Sequence, residues 1–268
     1  MKKDSLQIIC CPDCKKDLSL EPMDSKGENV IGGVLKCSHC GKDFLIEKEI
    51  PRFIEVKELI GKNKQMEKFY NFWSHFYNLF NMIILSFIGG EKRARLDYLQ
   101  KLEISKNSKV LEVSVGSGRN VAFFMDDKFK VNFYGIDFSS GQLKKCVSFL
   151  NKKNFNVELF LGGAENLPFK DSVFDVVFHC GGINFFKDKK KAIEEMIRVA
   201  KPGTKIVIAE ENKRGQELCE AMGLRAIGWG EKKRVKPPKE DIPSEIGDVK
   251  ISEVWKGFGY CMEFRKPR

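Results

Sequence analysis

The chain has 268 residues, enough for one large domain or for a domain with a small satellite. Its 42% hydrophobic and 31% charged residues are close to the averages of soluble globular proteins, which excludes disordered, collagen-like and disulfide-scaffold classes. The N-terminal residues resemble no signal peptide, and the most apolar window, 82–88, is far shorter than the ~20 residues of a membrane span. We therefore expect a cytoplasmic protein that is soluble or peripheral to a membrane.

The formal net charge is +10, a balance that suits nucleic acid or an anionic membrane surface as partner. Residues 1–55 carry nine basic and ten acidic side chains, whereas residues 57–109 carry ten basic and five acidic ones. The N-terminal part is therefore not the basic part. The alternative is a lysine-rich surface without a dedicated partner, since no run of five like charges occurs.

Five of the nine cysteines lie in the first forty residues. Two CxxC pairs, Cys11 with Cys14 and Cys37 with Cys40, are separated by 22 residues. This spacing predicts one tetrahedral zinc ion with Zn–S distances of about 2.3 Å, because a hairpin between the pairs can bring all four thiolates together. Four thiolates fill the coordination shell, so the predicted zinc is structural. Disulfides and an iron–sulfur or redox site are the alternatives.

Two more metal-type side chains lie in the same region, Cys10 beside the first pair and His39 inside the second. We interpret both as bystanders. A module of residues 1–55 buries little core, and zinc binding worth on the order of 10 kcal/mol supplies the missing stability. The sequence KDFLIEKEIPRFI after the second pair predicts a closing strand. With the cysteines, it resembles the zinc-ribbon family of small activator subunits of tRNA and protein methyltransferases.

Residues 56–108 are predicted to form a helical linker or lid. Apolar and aromatic residues recur there at spacings of three and four, and Gly89 and Gly90 interrupt the pattern before a further helix from Glu91 to Leu102. Such a stripe indicates core packing, or a cover for an apolar substrate or a contact with a membrane face. Its members are Met66, Phe69, Tyr70, Trp73, Phe76, Tyr77 and Phe80.

A short apolar strand, Lys109 to Val113, precedes the glycine-rich turn SVGSGRN, and Asn120 to Met125 opens a helix. This strand, turn and helix place backbone N–H groups beside a ligand, as nucleotide-like cofactors require. The dinucleotide pattern GxGxxG needs glycine where Val121 stands, and GxxxxGK[ST] is absent from the chain. NAD and ATP phosphate sites are therefore disfavoured.

Three more strands follow: Val131–Ile136 ending at Asp137, Val157–Leu161, and Phe174–Phe178. A helix from Lys189 to Ala200 then leads to a fifth strand in KIVIAEE. This alternation predicts an α/β fold with a doubly wound, Rossmann-like parallel sheet over residues 109–268. Asp137 follows the turn by about 20 residues, where a carboxylate can accept both hydroxyls of a ribose.

Five ordered motifs resemble the class I S-adenosylmethionine-dependent methyltransferases: VLEVSVGSG, YGIDFS, AENLPF, FDVVF and EEMIRVAKPG. Within that class, FYNLFNMIILSFIGG, AENLPF and RVAKPG are similar to the ubiquinone/menaquinone C-methyltransferase family and to bacterial phospholipid N-methyltransferases. The resemblance implies S-adenosylmethionine as cofactor, S-adenosylhomocysteine as product, and in-line methyl transfer to a small-molecule or lipid-like acceptor.

The resemblance also implies roles for individual residues. Gly116 and Gly118 would let the backbone approach the methionine part, Glu112 would orient the loop, and Asp137 would hold the ribose. Phe138 would stack on the adenine. The full set implied to bind the cofactor is Glu112, Val113, Ser114, Gly116, Gly118, Asn120, Asp137, Phe138, Ala164, Glu165 and His179.

Two positions depart from the family pattern. Ser114 stands where the first motif usually has its leading glycine, and it is expected to crowd the methionine end of the cofactor. Gly163 stands where an adenine-binding aspartate is common, so the adenine amino group needs another acceptor.

Two residues are candidates for catalysis. His179 would face the sulfonium and the substrate as a base, or it is a packing histidine. Tyr77 matches the tyrosine of the quinone-methyltransferase "YD" motif and would lie over the methyl group. Cys180 is interpreted as a small wall residue rather than a nucleophile.

Two other functions stay open. An RNA base methyltransferase would also join a zinc ribbon to this fold, but HCGG replaces the [DNS]PP[YFW] motif that grips a base amine, and the near-neutral ribbon is a poor phosphate clamp. A non-catalytic cofactor-binding regulator is the second alternative. The acceptor and the oligomeric state are not encoded in any motif.

Overall fold

The computed structural model describes residues 1–54, 89–125, 130–153, 157–221 and 235–268. The predicted α/β class with an N-terminal ribbon is confirmed, because a small antiparallel sheet of four strands precedes a mixed sheet of seven. Within the described residues, no helix is long and apolar enough to cross a membrane.

The small sheet forms the ribbon and keeps its strands in chain order. The predicted closing strand is two short strands, because Lys48 and Glu49 adopt positive φ angles of 51° and 67° and turn the chain between them. The four strands are β1 (Ser19–Lys26), β2 (Asn29–Lys36), β3 (Asp43–Glu47) and β4 (Ile50–Pro51).

The large sheet has the strand order β10-β11-β9-β8-β5-β6-β7. Its strands are β5 (Lys109–Val113), β6 (Asn132–Asp137), β7 (Val157–Leu161), β8 (Val176–Cys180), β9 (Lys205–Glu211), β10 (Lys250–Val254) and β11 (Gly259–Arg265). The five strands from β9 to β7 are parallel, and β11 is antiparallel to both neighbours, so the sheet is mixed rather than purely parallel. The chain order reverses between β5 and β8, where such sheets bind ligands at the carboxyl ends of their strands.

Several element boundaries differ from the sequence prediction: the strand predicted at 131–136 is Asn132–Asp137, and the helix predicted from Glu91 to Leu102 ends at Leu99. The glycine turn leads into a 3₁₀ helix, Arg119–Met125. The strand predicted at 174–178 runs from Val176 to Cys180, so His179 belongs to β8 rather than following it. The described α-helices are α1 (Glu91–Leu99), α2 (Ser140–Lys153), α3 (Lys189–Val199) and α4 (Lys213–Ala221).

The ribbon and the large sheet share one hydrophobic core. Ile9 of the ribbon and Phe169 after β7 are both wholly buried, and their backbones form an antiparallel bridge. Phe53 N–H donates to the Leu161 carbonyl at 2.7 Å, and Lys170 N–H donates to the Ile8 carbonyl at 2.8 Å. Residues 1–54 therefore pack as a continuation of the sheet. Helices α1 and α2 bury their apolar side chains on the opposite face.

Candidate active site

The loop after β5 has the backbone of a glycine turn. Gly116 and Gly118 have φ angles of 55° and 76°, and Ser114 adopts φ 62°, a conformation that favours glycine. A Cβ at Gly118 would lie 2.5 Å from the Cys146 sulfur, whereas a Cβ at Gly116 would meet no described atom within 4 Å. Gly118 therefore permits helix packing, and Gly116 leaves open space beside the loop. Ser114 thus adopts the backbone conformation of the glycine that it replaces, and its expected crowding of the methionine end of the cofactor stays a prediction.

Asp137 joins the carboxyl ends of β5 and β6. Its Oδ2 accepts a hydrogen bond from Gly116 N–H and its Oδ1 accepts one from Ser139 N–H, both at 2.8 Å. The side chain is 5% exposed, and burial raises its pKa to about 6 against the lowering effect of these two N–H groups. The carboxylate thus holds the glycine loop at the place where the sequence expects a ribose.

A buried polar network lies beneath the loop. Asn120 Nδ2 donates to Glu112 Oε1 at 2.5 Å, and its Oδ1 accepts from Tyr98 Oη at 2.6 Å and from the Arg95 guanidinium at 2.5 Å. Arg95 and Tyr98 lie on α1, and sequence analysis missed both. The available signal in the sequence was that they lie three residues apart on the helix that precedes β5, and so on one face of it. The network ties α1 to the loop.

Glu112 has an oxygen without a partner. Its Oε2 is buried and makes no hydrogen bond to a described residue, while burial raises the pKa of the carboxyl to about 8. The ordinary pKa of a glutamate carboxyl is about 4.5, so the contribution of Glu112 to the free energy of unfolding is complete below that pH and is lost as the pH rises through about 8. A cationic ligand group beside Oε2 would favour the ionised form.

His179 is buried near the carboxyl end of β8, next to the carboxyl end of β5. Its ring is wholly buried, its Nδ1 lies 2.8 Å from the Val113 carbonyl, and the Phe186 ring packs at 5.0 Å. Nδ1–H donating to that carbonyl leaves Nε2 as an acceptor, and Nε2 is unpaired among the described residues. Burial lowers the pKa of His179 to about 4, so the imidazole is neutral at pH 7. Burial raises the pKa of Cys180 to about 12, which suits a wall residue.

Sequence analysis also missed Glu210, at the carboxyl end of β9. Its Oε2 accepts from Gly182 N–H at 2.6 Å and from Ile183 N–H at 2.8 Å, so this buried carboxylate fixes the loop after β8. Burial raises its pKa. An acidic pair at the end of a predicted strand, in KIVIAEE, was the available signal.

The residues expected around an adenine follow β6 and β7 in the chain. Phe138 is 40% exposed, a high value for an aromatic side chain, and Ala164 is buried. Glu165 Oε1 accepts from Lys187 N–H at 3.0 Å, and its Oε2 would lie 3.3 Å from a Cβ placed on Gly163. The Glu165 carboxylate therefore lies next to position 163 and offers an alternative acceptor.

The four predicted cysteines come together at one end of the ribbon. Their sulfur atoms all lie within 4.8 Å of one another, with 3.6 Å between Cys11 and Cys40 and 3.4 Å between Cys14 and Cys37. A tetrahedral site with 2.3 Å bonds has S–S edges of about 3.8 Å, so the donor set fits zinc. Neither Cys10 nor His39 belongs to the cluster.

The turn that contains Cys11 and Cys14 directly contacts the loop after β7. This loop, residues 162–169, is called the adenine-side loop because part of the expected adenine site lies on it. Lys15 Nζ lies 2.8 Å from Glu195 Oε2 and 3.2 Å from the Leu167 carbonyl. Glu195 Oε2 also accepts from Leu167 N–H at 2.8 Å, and Arg198 donates to the Leu167 carbonyl at 3.1 Å. Both backbone groups of Leu167 are therefore held, two residues after Glu165. Tyr77 and the aromatic stripe lie outside the described residues.

Parts of this chain are similar to known proteins. Residues 111–208 match the family model of a methyltransferase domain. A demethylmenaquinone methyltransferase of Paenarthrobacter aurescens is 32% identical over 123 residues, 46% of this chain and 46% of that protein. The corresponding enzyme of Lactiplantibacillus plantarum is 30% identical over 145 residues, 53% of this chain and 60% of that protein. The chain thus spans roughly half the length of these relatives.

One solved structure shows the same fold. It is a phosphoethanolamine N-methyltransferase of Haemonchus contortus in complex with phosphomonomethylethanolamine and S-adenosylhomocysteine. Its TM-score is 0.56 at 17% identity, and the match covers 75% of this chain and 60% of that chain.

Proposed function

We propose that the protein is a cytoplasmic S-adenosylmethionine-dependent methyltransferase for a small, lipid-like or quinone-like acceptor, since residues 111–208 match the family model of a methyltransferase domain. The observation that carries the proposal is the Gly116–Asp137 hydrogen bond, which combines an open glycine position with a buried carboxylate at the carboxyl ends of β5 and β6, next to the switch point of the sheet. The quinone-type acceptor is proposed by analogy with the demethylmenaquinone enzymes.

The residues present fit the cofactor. Gly116 would admit its methionine part, Asp137 would hold the ribose, Phe138 would stack on the adenine, and Glu165 would accept from the adenine amino group. Glu112 Oε2, which is buried and has no hydrogen-bond partner among the described residues, offers an acceptor for a cationic amino group. When bound, S-adenosylmethionine supplies an electrophilic methyl group on a sulfonium.

The protein's own contribution is chiefly positioning. In-line displacement needs the nucleophile, the methyl carbon and the sulfur held collinear, and orientation of this kind is worth up to ~7 to 11 kcal/mol. His179 remains the proposed base, since its unprotonated Nε2 can accept a proton or a hydrogen bond from the acceptor. Its pKa of about 4 makes it a weak base, so positioning carries most of the proposed rate. Tyr77 is proposed to cover the methyl group.

We further propose that Cys11, Cys14, Cys37 and Cys40 bind one structural zinc. Four thiolates leave no open coordination position, so this ion would take no part in methyl transfer. The ribbon would instead stabilise the adenine-side loop through Lys15 and Glu195. This proposal gives the ribbon a role that does not require RNA.

Replacing Asp137 by asparagine is expected to weaken S-adenosylhomocysteine binding by about 1 to 3 kcal/mol, because hydrogen bonds to a charged group are lost. Titration calorimetry measures the change. Asp175→Asn is the matched control. Asp175 also accepts from a backbone N–H, that of Lys109 at 2.9 Å, but at the amino end of the strands. Unchanged affinity in Asp137→Asn, or tight NAD binding by the unmodified protein, would contradict the assignment.

A further inference from the structure

We propose that Tyr260 on β11 and Asn184 in the loop after β8 select the methyl acceptor by donating hydrogen bonds to its oxygen atoms. The inference rests on the proposed function, because it names residues that would bind the acceptor in that same site. Tyr260 lies outside residues 111–208, the part of the chain that matches the methyltransferase family model.

The side chains of His179, Glu210 and Tyr260 share one face of the large sheet. Val177 and Ile208 stand two positions before His179 and Glu210 on their strands, and both belong to the hydrophobic core that contains Tyr260. Tyr260 is the cross-strand partner of Glu210, and Ile208 is paired with His179. Because β11 is antiparallel to β9, Tyr260 near the start of β11 lies at the carboxyl ends of β8 and β9.

Two hydrogen-bond donors at this end of the sheet lack a partner within the described part of the chain. Tyr260 is 3% exposed, and its hydroxyl is one of these donors. The other is Asn184 Nδ2, which is buried. The Asn184 Oδ1 accepts from Lys189 Nζ at 2.9 Å, and this contact fixes which end of the amide is left unpaired. Native proteins rarely bury a donor without a partner, so a ligand that accepts from both would explain them.

Glu210 holds the loop that carries Asn184. Its Oε2 accepts from Gly182 N–H at 2.6 Å and from Ile183 N–H at 2.8 Å, and its Oε1 accepts from a further backbone N–H at 3.1 Å. Both oxygens of this buried carboxylate are therefore already bonded. The site presents fixed donors to an oxygen atom, and Glu210 is a poor partner for a cationic amine.

The loop after β8 leaves room for a ligand beside these donors. A Cβ at Gly181 would meet no described atom within 4 Å, as is also true of Gly116 in the loop after β5. Strands β5 and β8 are neighbours, so the two open positions lie at adjacent carboxyl ends. His179 Nε2 adds a hydrogen-bond acceptor that no described residue occupies.

Two donors and one acceptor fit a dihydroxy-aromatic molecule. Its oxygens can accept from Tyr260 and Asn184, while one of its hydroxyl groups donates to His179 Nε2. A protonated amine such as the headgroup of phosphoethanolamine offers donors only, and these would face the donors of Tyr260 and Asn184. The site therefore favours an oxygen-bearing acceptor over an amine.

The test measures by titration calorimetry how 1,4-dihydroxynaphthalene, kept reduced, binds to the complex of the full chain with S-adenosylhomocysteine. We expect binding of this probe and none of phosphoethanolamine. Tyr260→Phe removes only the hydroxyl, and the loss of one hydrogen bond should weaken probe binding about threefold to tenfold. Asn184→Asp places an oxygen where the donor stood and should weaken it by roughly tenfold or more. Both variants should keep their affinity for S-adenosylhomocysteine.

Tyr134→Phe is the matched control. Tyr134 is buried on the same face of the sheet but nearer the amino end of β6, so its variant should bind the probe as the unmodified chain does. Tyr260→Phe should unfold at an unchanged or higher temperature, because its hydroxyl has no described partner to lose.

Unchanged probe affinity in Tyr260→Phe, equal losses in Tyr260→Phe and Tyr134→Phe, or a complex that binds phosphoethanolamine in preference to the probe would overturn the proposal. Failure of the unmodified complex to bind the probe would overturn it as well and would leave the cofactor assignment standing. If the chain bound the probe through Tyr260 but did not bind S-adenosylhomocysteine, this site would stand and the proposed function would fail.

Discussion

Replacing Cys40 by serine is expected to release the zinc, unfold the ribbon and weaken S-adenosylhomocysteine binding in one variant. Cys40 is exposed, so the change removes a thiolate with little loss of packing. Structural zinc sites contribute on the order of 10 kcal/mol to folding, more than a ribbon of this size can replace. Because the ribbon covers Phe160 and Phe169, which are wholly buried, its unfolding exposes core of the large sheet.

The measurement is calorimetric unfolding with and without a chelator, together with metal analysis. Cys10→Ala is the matched control, since Cys10 is buried beside Cys11 but outside the thiol cluster. It should keep its zinc and lose only about 1 kcal/mol of stability. A chelator that leaves the unfolding temperature unchanged, or iron in place of zinc, would contradict the assignment.

A milder variant separates the metal from the contact that the ribbon makes. Lys15→Met keeps all four thiols but removes the ammonium that bonds Glu195 and the Leu167 carbonyl. We expect it to retain zinc and to bind S-adenosylhomocysteine more weakly. Lys16→Met, one residue along on an exposed position, should change neither property.

Alanine at each of the two glycines of the β5 loop is expected to impair a different property, stability at Gly118 and cofactor binding at Gly116. Gly118→Ala places a Cβ 2.5 Å from the Cys146 sulfur at a φ of 76°, so overpacking and backbone strain together should lower the free energy of unfolding by about 2 to 5 kcal/mol. Gly116→Ala meets open space and should lose only about 1 to 2 kcal/mol for its positive φ.

Gly116→Ala, the more stable of the two variants, is expected to lose more affinity for the cofactor. The methyl group of Gly116→Ala would fill the space proposed for the methionine part, so this folded variant should lose most of its affinity for S-adenosylhomocysteine. Denaturant unfolding and calorimetry of both proteins provide the comparison. Full affinity in a folded Gly116→Ala would show that the cofactor does not pass over this loop.

The sequence predicted those parts of the site that local pattern determines. The glycine turn, the Asp137 carboxylate and the four cysteines each follow from spacing within one short segment or between two. Their backbone geometry and proximity appear in the structure, while their roles toward cofactor and zinc stay predictions.

The remaining features depend on contacts between distant segments. Nothing near Glu210 in the sequence indicates that it bonds the loop at 182–183, and Lys15 and Glu195 are separated by 180 positions. Strand β11 enters antiparallel between β9 and β10 because the chain returns to the sheet edge through β10, a pairing that strand patterns alone do not encode. The shared core of ribbon and sheet has the same origin.

The central claim is methyl transfer to a small-molecule or lipid-like acceptor rather than to RNA. It is tested most directly by incubating the protein with methyl-labelled S-adenosylmethionine and separate RNA, lipid-quinone and small-metabolite fractions, the lipids dissolved in neutral detergent. We expect the label in the lipid-quinone or small-metabolite fraction, with little change in rate between about 50 and 200 mM salt. Six phosphate contacts would cause a loss of ~10³-fold in affinity over that range of salt. Such a loss, together with methyl label in ribosomal or transfer RNA, would contradict the account.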